Sequence, residues 1–355
     1  MSRFFSERFA QLSPYVPGEQ PQDMRYVKLN TNESPFPPPQ AVLDAVRGES
    51  GRLQLYSDPD GRLLRRKLAE SCGLRPEQIL LGNGSDEILY LAFMAFADDT
   101  HPIAFPDISY GFYPVLASLL SLPCERIPLR EDFSIAAEDY CGIGKTVVIA
   151  NPNAPTGLCL GLAEIERIAS TNPDSAVIVD EAYVDFGAES ALPLLEKYDN
   201  LLVVQTFSKS RSLAGARLGF AAGSAEMISD LNTLRCSINP YNVNRMTLAA
   251  GLASLEQDAY NRANCRTVSE NRAWAAQRLR ELGFALTDSK ANFLFARCAR
   301  IGGGELYRAL KARGVLVRHF DMPRIRDYVR ITVGTREQME ILVGTIESIL
   351  KERGA

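Results

Sequence analysis

In "QTFSKSRSLAGARLGF", residues 205–220, one lysine, Lys209, follows the apolar run "LLVV" (201–204) and lies between two serines. Arg211 and Arg217 come after it, among small and apolar residues. A lysine amine is a nucleophile when neutral, and a serine hydroxyl with an arginine beside it can hold an anion. For a lone lysine, a solvated loop explains as much.

Other residues able to do chemistry also follow apolar runs. "QILLG" (78–82) leads into "NGSDE" (83–87), where a glycine turn precedes a helix start whose free N–H groups attract an anion. "PIAFP" (102–106) leads into "DISYGFY", placing Tyr110 and Tyr113 where a ring could lie on a flat ligand or pack in the core. "VVIA" leads into "NPNAPTG" (151–157), a loop with fixed geometry in which an Asn amide could donate to a ligand oxygen. "AVIV" leads into "DEAY", where Asp180 needs a cation, a ligand or a helix start to cap. Taken together, these are the groups that pyridoxal phosphate requires: a lysine for its aldehyde, a carboxylate for its ring nitrogen, donors for its 3-oxygen, an aromatic face, and a Ser208–Arg217 clamp for its phosphate.

The elements that must position these groups are legible in the same runs. Near-continuous Val and Ile segments at 78–82, 102–106, 145–152, 175–180, 201–207 and 218–223, with helical patterns between several of them, predict an α/β fold with a doubly wound, mainly parallel sheet covered on both faces. Ligands of such sheets gather beyond the carboxyl ends of the strands. A long helix-compatible region follows from about 245 to 282, then runs at 291–297, 314–320 and 328–334 that predict a smaller α+β lobe. Thr335 and Gln338 form a capping box for a last helix.

The 355 residues are 46% apolar and 23% charged, with a formal net charge of −4. That is ordinary globular composition, with no electrostatic footprint for nucleic acid or an anionic membrane. Seven scattered cysteines without a C-x-x-C predict reduced thiols. His101 and His319 lack ligand-spaced neighbours, so no metal is expected. No signal peptide is expected in "MSRFFSERFAQLSPYVPG", and no apolar run reaches spanning length. A cytoplasmic location is the expectation.

The order of "LSPYVPG", "KLNTNESPFPP", "YSDPDGRLLRRKLA", "GNGSDEIL", "SYGFYPV", "NPNAPTG", "DEAYVDF", "TFSKSRSLAGARLGF", "PYNVN", "ANFLF" and "VRITVGTREQ" resembles the aspartate-aminotransferase superfamily, and within it the histidinol-phosphate aminotransferase family. The resemblance implies that fold, with a seven-stranded sheet. It divides the chain into an arm with part of a small domain (1–45), a large cofactor domain (46–250) and a small domain (251–355). It implies that Lys209 bonds the cofactor and shuttles the proton, and that Asp180 pairs with the ring nitrogen. Asn153 and Tyr183 would meet the 3-oxygen, and Tyr110 would stack on the ring. Ser208, Arg217 and the backbone of Ser85 and Asp86 would hold the phosphate, with Tyr56 reaching it from the neighbouring subunit of a homodimer. Tyr15, Asn153, Arg318 and Arg330 would face the substrate.

The reaction so implied passes an amino group from histidinol phosphate to 2-oxoglutarate. An aromatic aminotransferase, a phosphothreonine-type decarboxylase and a cofactor-binding protein without turnover stand as alternatives. "SKSRSLAGAR" and "PDISYGFYP" depart from the usual family patterns, and Arg211 receives no role.

Overall fold

The computed structural model describes residues 2–354. A short strand β1 (Val27–Lys28) and helices α1 (Gln40–Ser50) and α2 (Arg62–Cys72) precede the main sheet. That sheet contains β2 (Ile79–Gly82), β3 (Ile103–Pro106), β4 (Cys124–Ile127), β5 (Thr146–Ala150), β6 (Val177–Asp180), β7 (Leu201–Thr206) and β8 (Gly219–Ala222). The order across it is β2-β8-β7-β6-β5-β3-β4. β8 runs antiparallel to both neighbours, and the remaining adjacent pairs are parallel. Helices α3 (Ser85–Phe96), α4 (Tyr113–Leu120), α5 (Leu162–Thr171), α6 (Ala225–Ile238) and α7 (Arg245–Glu256) accompany it.

The unbroken apolar runs serve two cores at once. Val147, Ile149, Val177, Val179, Leu201 and Val203 pack on one side of the sheet, and Val148, Ile178, Leu202 and Val204 on the other. Alternate side chains of one strand point to opposite faces, so a strand covered twice has no polar face to show. β4 escaped the sequence reading because it is the edge strand: "CERI" is exposed at its first three positions and has no apolar run.

The smaller lobe begins with α8 (Asp258–Glu281) and holds β9 (Phe284–Leu286), β10 (Phe293–Cys298), α9 (Gly303–Ala312), β11 (Val315–Leu316), β12 (Arg318–His319), β13 (Tyr328–Thr332) and α10 (Arg336–Gly354). An antiparallel sheet runs β12-β13-β10-β9. The helix-compatible region from 245 is two helices rather than one, broken at Gln257. The run 314–320 also divides: β11 pairs in parallel with β1, while β12 pairs with β13. The division brings residues 27–28 back to the C-terminal lobe. In the last capping box Gln338 N–H donates to Thr335 Oγ1 at 3.3 Å, and Thr335 N–H donates to Gln338 Oε1 at 2.9 Å.

Candidate active site

A cavity of about 350 Å³ opens between the carboxyl ends of β5, β6 and β7 and the small antiparallel sheet. Lys209, Asp180, Tyr183, Ser85, Asp86, Tyr110, Ser208, Arg217, Tyr15, Arg318 and Arg330 all line it. Residues scattered over more than 300 positions of sequence therefore meet at one place, as the strand-end rule requires.

Asp180 ends β6 and is buried. Tyr113 donates its hydroxyl to the carboxylate at 2.7 Å, and the backbone N–H of Ala182 donates to the other oxygen at 3.3 Å. Neither neighbour carries a positive charge. Burial pushes the Asp180 carboxyl up to about 6, against the pull of the Tyr113 hydrogen bond. The bond from Ala182 is the local turn contact expected of a cap, and no cation bonds the carboxylate directly, Lys209 acting on it only at a distance. A cationic ring nitrogen fits that need.

Lys209 follows β7, and its Nζ lies 3.4 Å from the Thr31 carbonyl. Burial, with the positive charge of Arg330 as the next cause, brings its ammonium down to about 8. An amine so placed is neutral for a substantial fraction of the time near neutral pH, which nucleophile and proton carrier both require. Tyr183 lies beside it, with the amine 5.9 Å from the ring centroid. The Tyr183 hydroxyl accepts from Asn32 Nδ2 at 3.0 Å.

The start of α3 and the end of the Lys209 stretch form one anion cup. Gly84 stands at φ +83, and a Cβ there would come 2.6 Å from an Arg217 nitrogen. A Cβ on Gly219 would come 2.6 Å from the Ser85 backbone nitrogen, so glycine lets β8 support the helix start directly. Ser208 Oγ accepts from Thr206 Oγ1 at 3.0 Å, which leaves its own hydrogen to donate. Arg217 pairs with Asp86 at 3.2 Å, and Tyr110 donates to the other oxygen of Asp86 at 2.9 Å. Free N–H groups, a hydroxyl and a guanidinium thus converge where a phosphate would sit.

Two expected residues stand elsewhere. Asn153 lies outside the cavity lining, and its amide is spent within its own neighbourhood. Its Nδ2 donates to the Ile108 carbonyl at 2.9 Å and to Thr156 Oγ1 at 3.2 Å, while its oxygen accepts from Ser109 at 2.7 Å. Pro152 and Ala154 are the residues of that loop that reach the cavity. Tyr56 is 78% exposed and stacks on Tyr241, with ring centroids 4.4 Å apart. Tyr113, which core packing or ligand stacking could equally have claimed, is a fully buried core residue that acts on Asp180. Arg211 turns away to Asp258 at 3.1 Å and the Ser254 carbonyl at 3.3 Å, so Arg217 alone of the two joins the cup.

Sequence reasoning passed over Asn32 and Phe320. Asn32 is buried at φ +56, held by Thr332 and aimed at Tyr183. The quoted segment "KLNTNESPFPP" contains it, but only tertiary contact shows what its amide meets.

The sequence model of class I and II aminotransferases matches residues 25–346. The chain belongs to this family. It is 48% identical over 353 residues to a histidinol-phosphate aminotransferase of Marinomonas sp., covering 98% of this chain and all of that one. It is 44% identical over 351 residues to the histidinol-phosphate aminotransferase of Clostridium acetobutylicum, covering 99% of this chain and all of its relative. Among solved structures, the fold matches histidinol-phosphate aminotransferase from Sinorhizobium meliloti in complex with pyridoxal-5'-phosphate with a TM-score of 0.89, at 23% identity and 99% coverage of both chains. It also matches aspartate aminotransferase from Thermotoga maritima with a TM-score of 0.80, at 24% identity and 92% coverage of both. This aminotransferase thus carries the fold expected of its sequence.

Proposed function

We propose that this aminotransferase is a pyridoxal-phosphate-dependent histidinol-phosphate aminotransferase, which takes the amino group of histidinol phosphate and gives it to 2-oxoglutarate. The observation that carries this reading is one cavity holding a buried amine, a buried carboxylate and two arginines, in a chain nearly half identical to histidinol-phosphate aminotransferases over their whole length.

When bound, pyridoxal phosphate supplies an aldehyde that bonds an amine and a protonated ring that withdraws electrons from the substrate Cα–H bond. The chain's residues fit that group. Asp180, buried with no cation bonded to it, would hold the proton on its ring nitrogen, and Tyr113 keeps that carboxylate oriented. Ser85, Asp86, Ser208 and Arg217 would hold its phosphate. Tyr183, fixed by Asn32, would donate to its 3-oxygen, and Tyr110 would lie beside its ring. The Nζ of Lys209 would bond the aldehyde and, once released by substrate, take the proton from the substrate Cα. Arg330 and Arg318 would meet the acidic end of the substrate, with Tyr15 beside them.

The same proposal includes a homodimer in which Tyr56 reaches the neighbouring site, and a cytoplasmic location. Exposed Leu53, Leu55, Tyr56 and Leu63, large apolar side chains near one another in sequence, support the first. Seven free cysteines support the second, and among the described residues no helix is long and apolar enough to cross a membrane. The proposed domain division, 1–45 with 251–355 around 46–250, is supported by the β1–β11 pairing and the two separate sheets.

The test is a panel of amino donors offered with 2-oxoglutarate. Turnover of histidinol phosphate well above that of phenylalanine or tyrosine is expected. No ketone from histidinol phosphate alongside turnover of the aromatic amino acids would replace this reading with an aromatic aminotransferase. Carbon dioxide release without consumption of keto acid would indicate a decarboxylase.

A further inference from the structure

Arg318 on β12 and Arg330 on β13 are direct partners across the antiparallel ladder. Like charges facing each other in this way oppose sheet formation. Both side chains also line the cavity, and the Arg318 charge acts on Arg330 there. Something must offset the repulsion, and Phe320 occupies the place for it. The Arg318 guanidinium carbon lies 5.4 Å from the Phe320 ring centroid, and the Arg330 guanidinium carbon lies 5.5 Å from the same centroid. Both distances are within the reach of a cation–π contact.

The two arginines are also held from behind. Arg318 donates to the carbonyls of Val16 and Pro17 at 3.0 and 3.2 Å, and Arg330 donates to the Asn30 carbonyl at 3.2 Å. These contacts turn the guanidiniums and leave capacity unused: the Nε of Arg330 is buried without a partner. Arg330 also lies 5.4 Å from the Phe293 ring, but among the described residues Phe320, whose ring lines the cavity, is the aromatic ring within cation–π reach of both cations.

We propose that Phe320 is a positioning residue that holds Arg318 and Arg330 together as a dicationic receptor for a doubly charged oxyanion. The inference rests on the reading that the donor carries a phosphate. A phosphate monoester bears nearly two negative charges and three acceptor oxygens at neutral pH, enough for both guanidiniums. A neutral alcohol gives the pair nothing to hold. The ring's contribution is therefore to discrimination between donors with and without the phosphate.

The experiment uses the holoenzyme and two donors, histidinol phosphate and histidinol, each with 2-oxoglutarate. The kcat/KM ratio of the two donors is measured in the unaltered protein and in Phe320→Leu, Phe320→Met and Phe320→Tyr. Leucine and methionine keep apolar bulk and remove the ring face. In both, the ratio is expected to fall about tenfold, chiefly through a higher KM for histidinol phosphate, and Phe320→Tyr is expected to stay within about threefold of the unaltered ratio. Retained cofactor absorbance in either ring-less variant shows that it is folded and can be read. A ratio within twofold of the original in such a variant overturns the proposal, and so does a loss in Phe320→Tyr equal to that in Phe320→Met. If the unaltered protein turns over histidinol phosphate no better than histidinol, the phosphate-donor reading itself fails, an outcome distinct from a change confined to the variants.

Discussion

Tyr113 donates its hydroxyl to Asp180 at 2.7 Å, and neither side chain is open to solvent. The bond stabilises the charged carboxylate against a burial that raises its pKa to about 6. In Tyr113→Phe the carboxyl should rise further and hold a cation less well. Affinity for pyridoxal phosphate is expected to fall roughly ten- to a hundredfold, the equivalent of about one hydrogen bond to a charged group. An absorbance titration of apoprotein with cofactor measures this, and unchanged affinity with unchanged kcat would remove Tyr113 from the account.

Lys209 has its ammonium lowered to about 8, so the neutral amine grows as pH rises through that value. Covalent attachment of pyridoxal phosphate to the apoprotein requires the neutral form. Its rate should climb between roughly pH 7 and 9 and then level off, where an ordinary lysine would keep climbing beyond pH 10. Stopped-flow absorbance reads the rate. A midpoint near 10.5, or attachment in Lys209→Ala, contradicts the assignment.

Glu181, next to Asp180, is buried among Ser190, Ala191 and Gln205, and burial raises its carboxyl from 4.5 to about 7. The folded chain therefore holds this proton over a window, from about 4.5 to about 7, in which the unfolded chain has released it. Stability contributed by this group falls as pH rises across that window. Glu181→Gln should remove that slope, a difference on the order of 1–3 kcal/mol between the ends of the window. Urea unfolding at several pH values tests it, and parallel pH dependences for the two proteins would refute it.

Gly219 leaves no room for a side chain: a Cβ would lie 2.6 Å from the Ser85 nitrogen and 2.8 Å from the Gly84 carbonyl carbon. Both obstacles are backbone. Gly219→Ala should push the start of α3 away from β8 and cost about 1–3 kcal/mol, with weaker cofactor retention. Equilibrium dialysis against cofactor, together with thermal unfolding, is the check. Retention and stability equal to the original would show that the helix start is not fixed from below.

Tyr56 is exposed, as are its sequence neighbours Leu53, Leu55 and Leu63. If it serves the neighbouring subunit, Tyr56→Ala should weaken activity about tenfold. Protomers carrying Tyr56→Ala mixed with protomers carrying Lys209→Ala should then recover activity, since one site of each hybrid has both residues intact. No recovery in a hybrid confirmed by mass spectrometry would place Tyr56 in its own subunit or nowhere near the site.

Elements covered on both faces, and the residues that end them, were readable because burial leaves a periodic apolar signature. Lys209 and Asp180 stood out as polar groups closing such runs. Strand β4 left no signature because three of its four side chains face water. Asn153 misled for a different reason. Adjacent residues of an irregular loop point in unrelated directions, and the contacts with Ile108 and Ser109 that turn its amide inward come from 45 and 44 positions away. Tyr113 looked like either core or ligand face, and its hydroxyl's partner lies 67 positions on. The approach of two guanidiniums to the one Phe320 ring follows from the pairing of β12 with β13.

Lys209 and Asp180 stand on the seven-stranded sheet, whereas Arg318, Phe320 and Arg330 stand on or beside the four-stranded one. Each sheet has a core of its own, and a smaller cluster of Ile108, Leu129, Phe133, Phe295 and Ile325, with Phe320 against it, joins the two lobes. Under natural selection, a change of amine donor would therefore be sought first at the codons for 318, 320 and 330, which lie apart in the fold from the residues that move the amino group but share packing with the larger lobe.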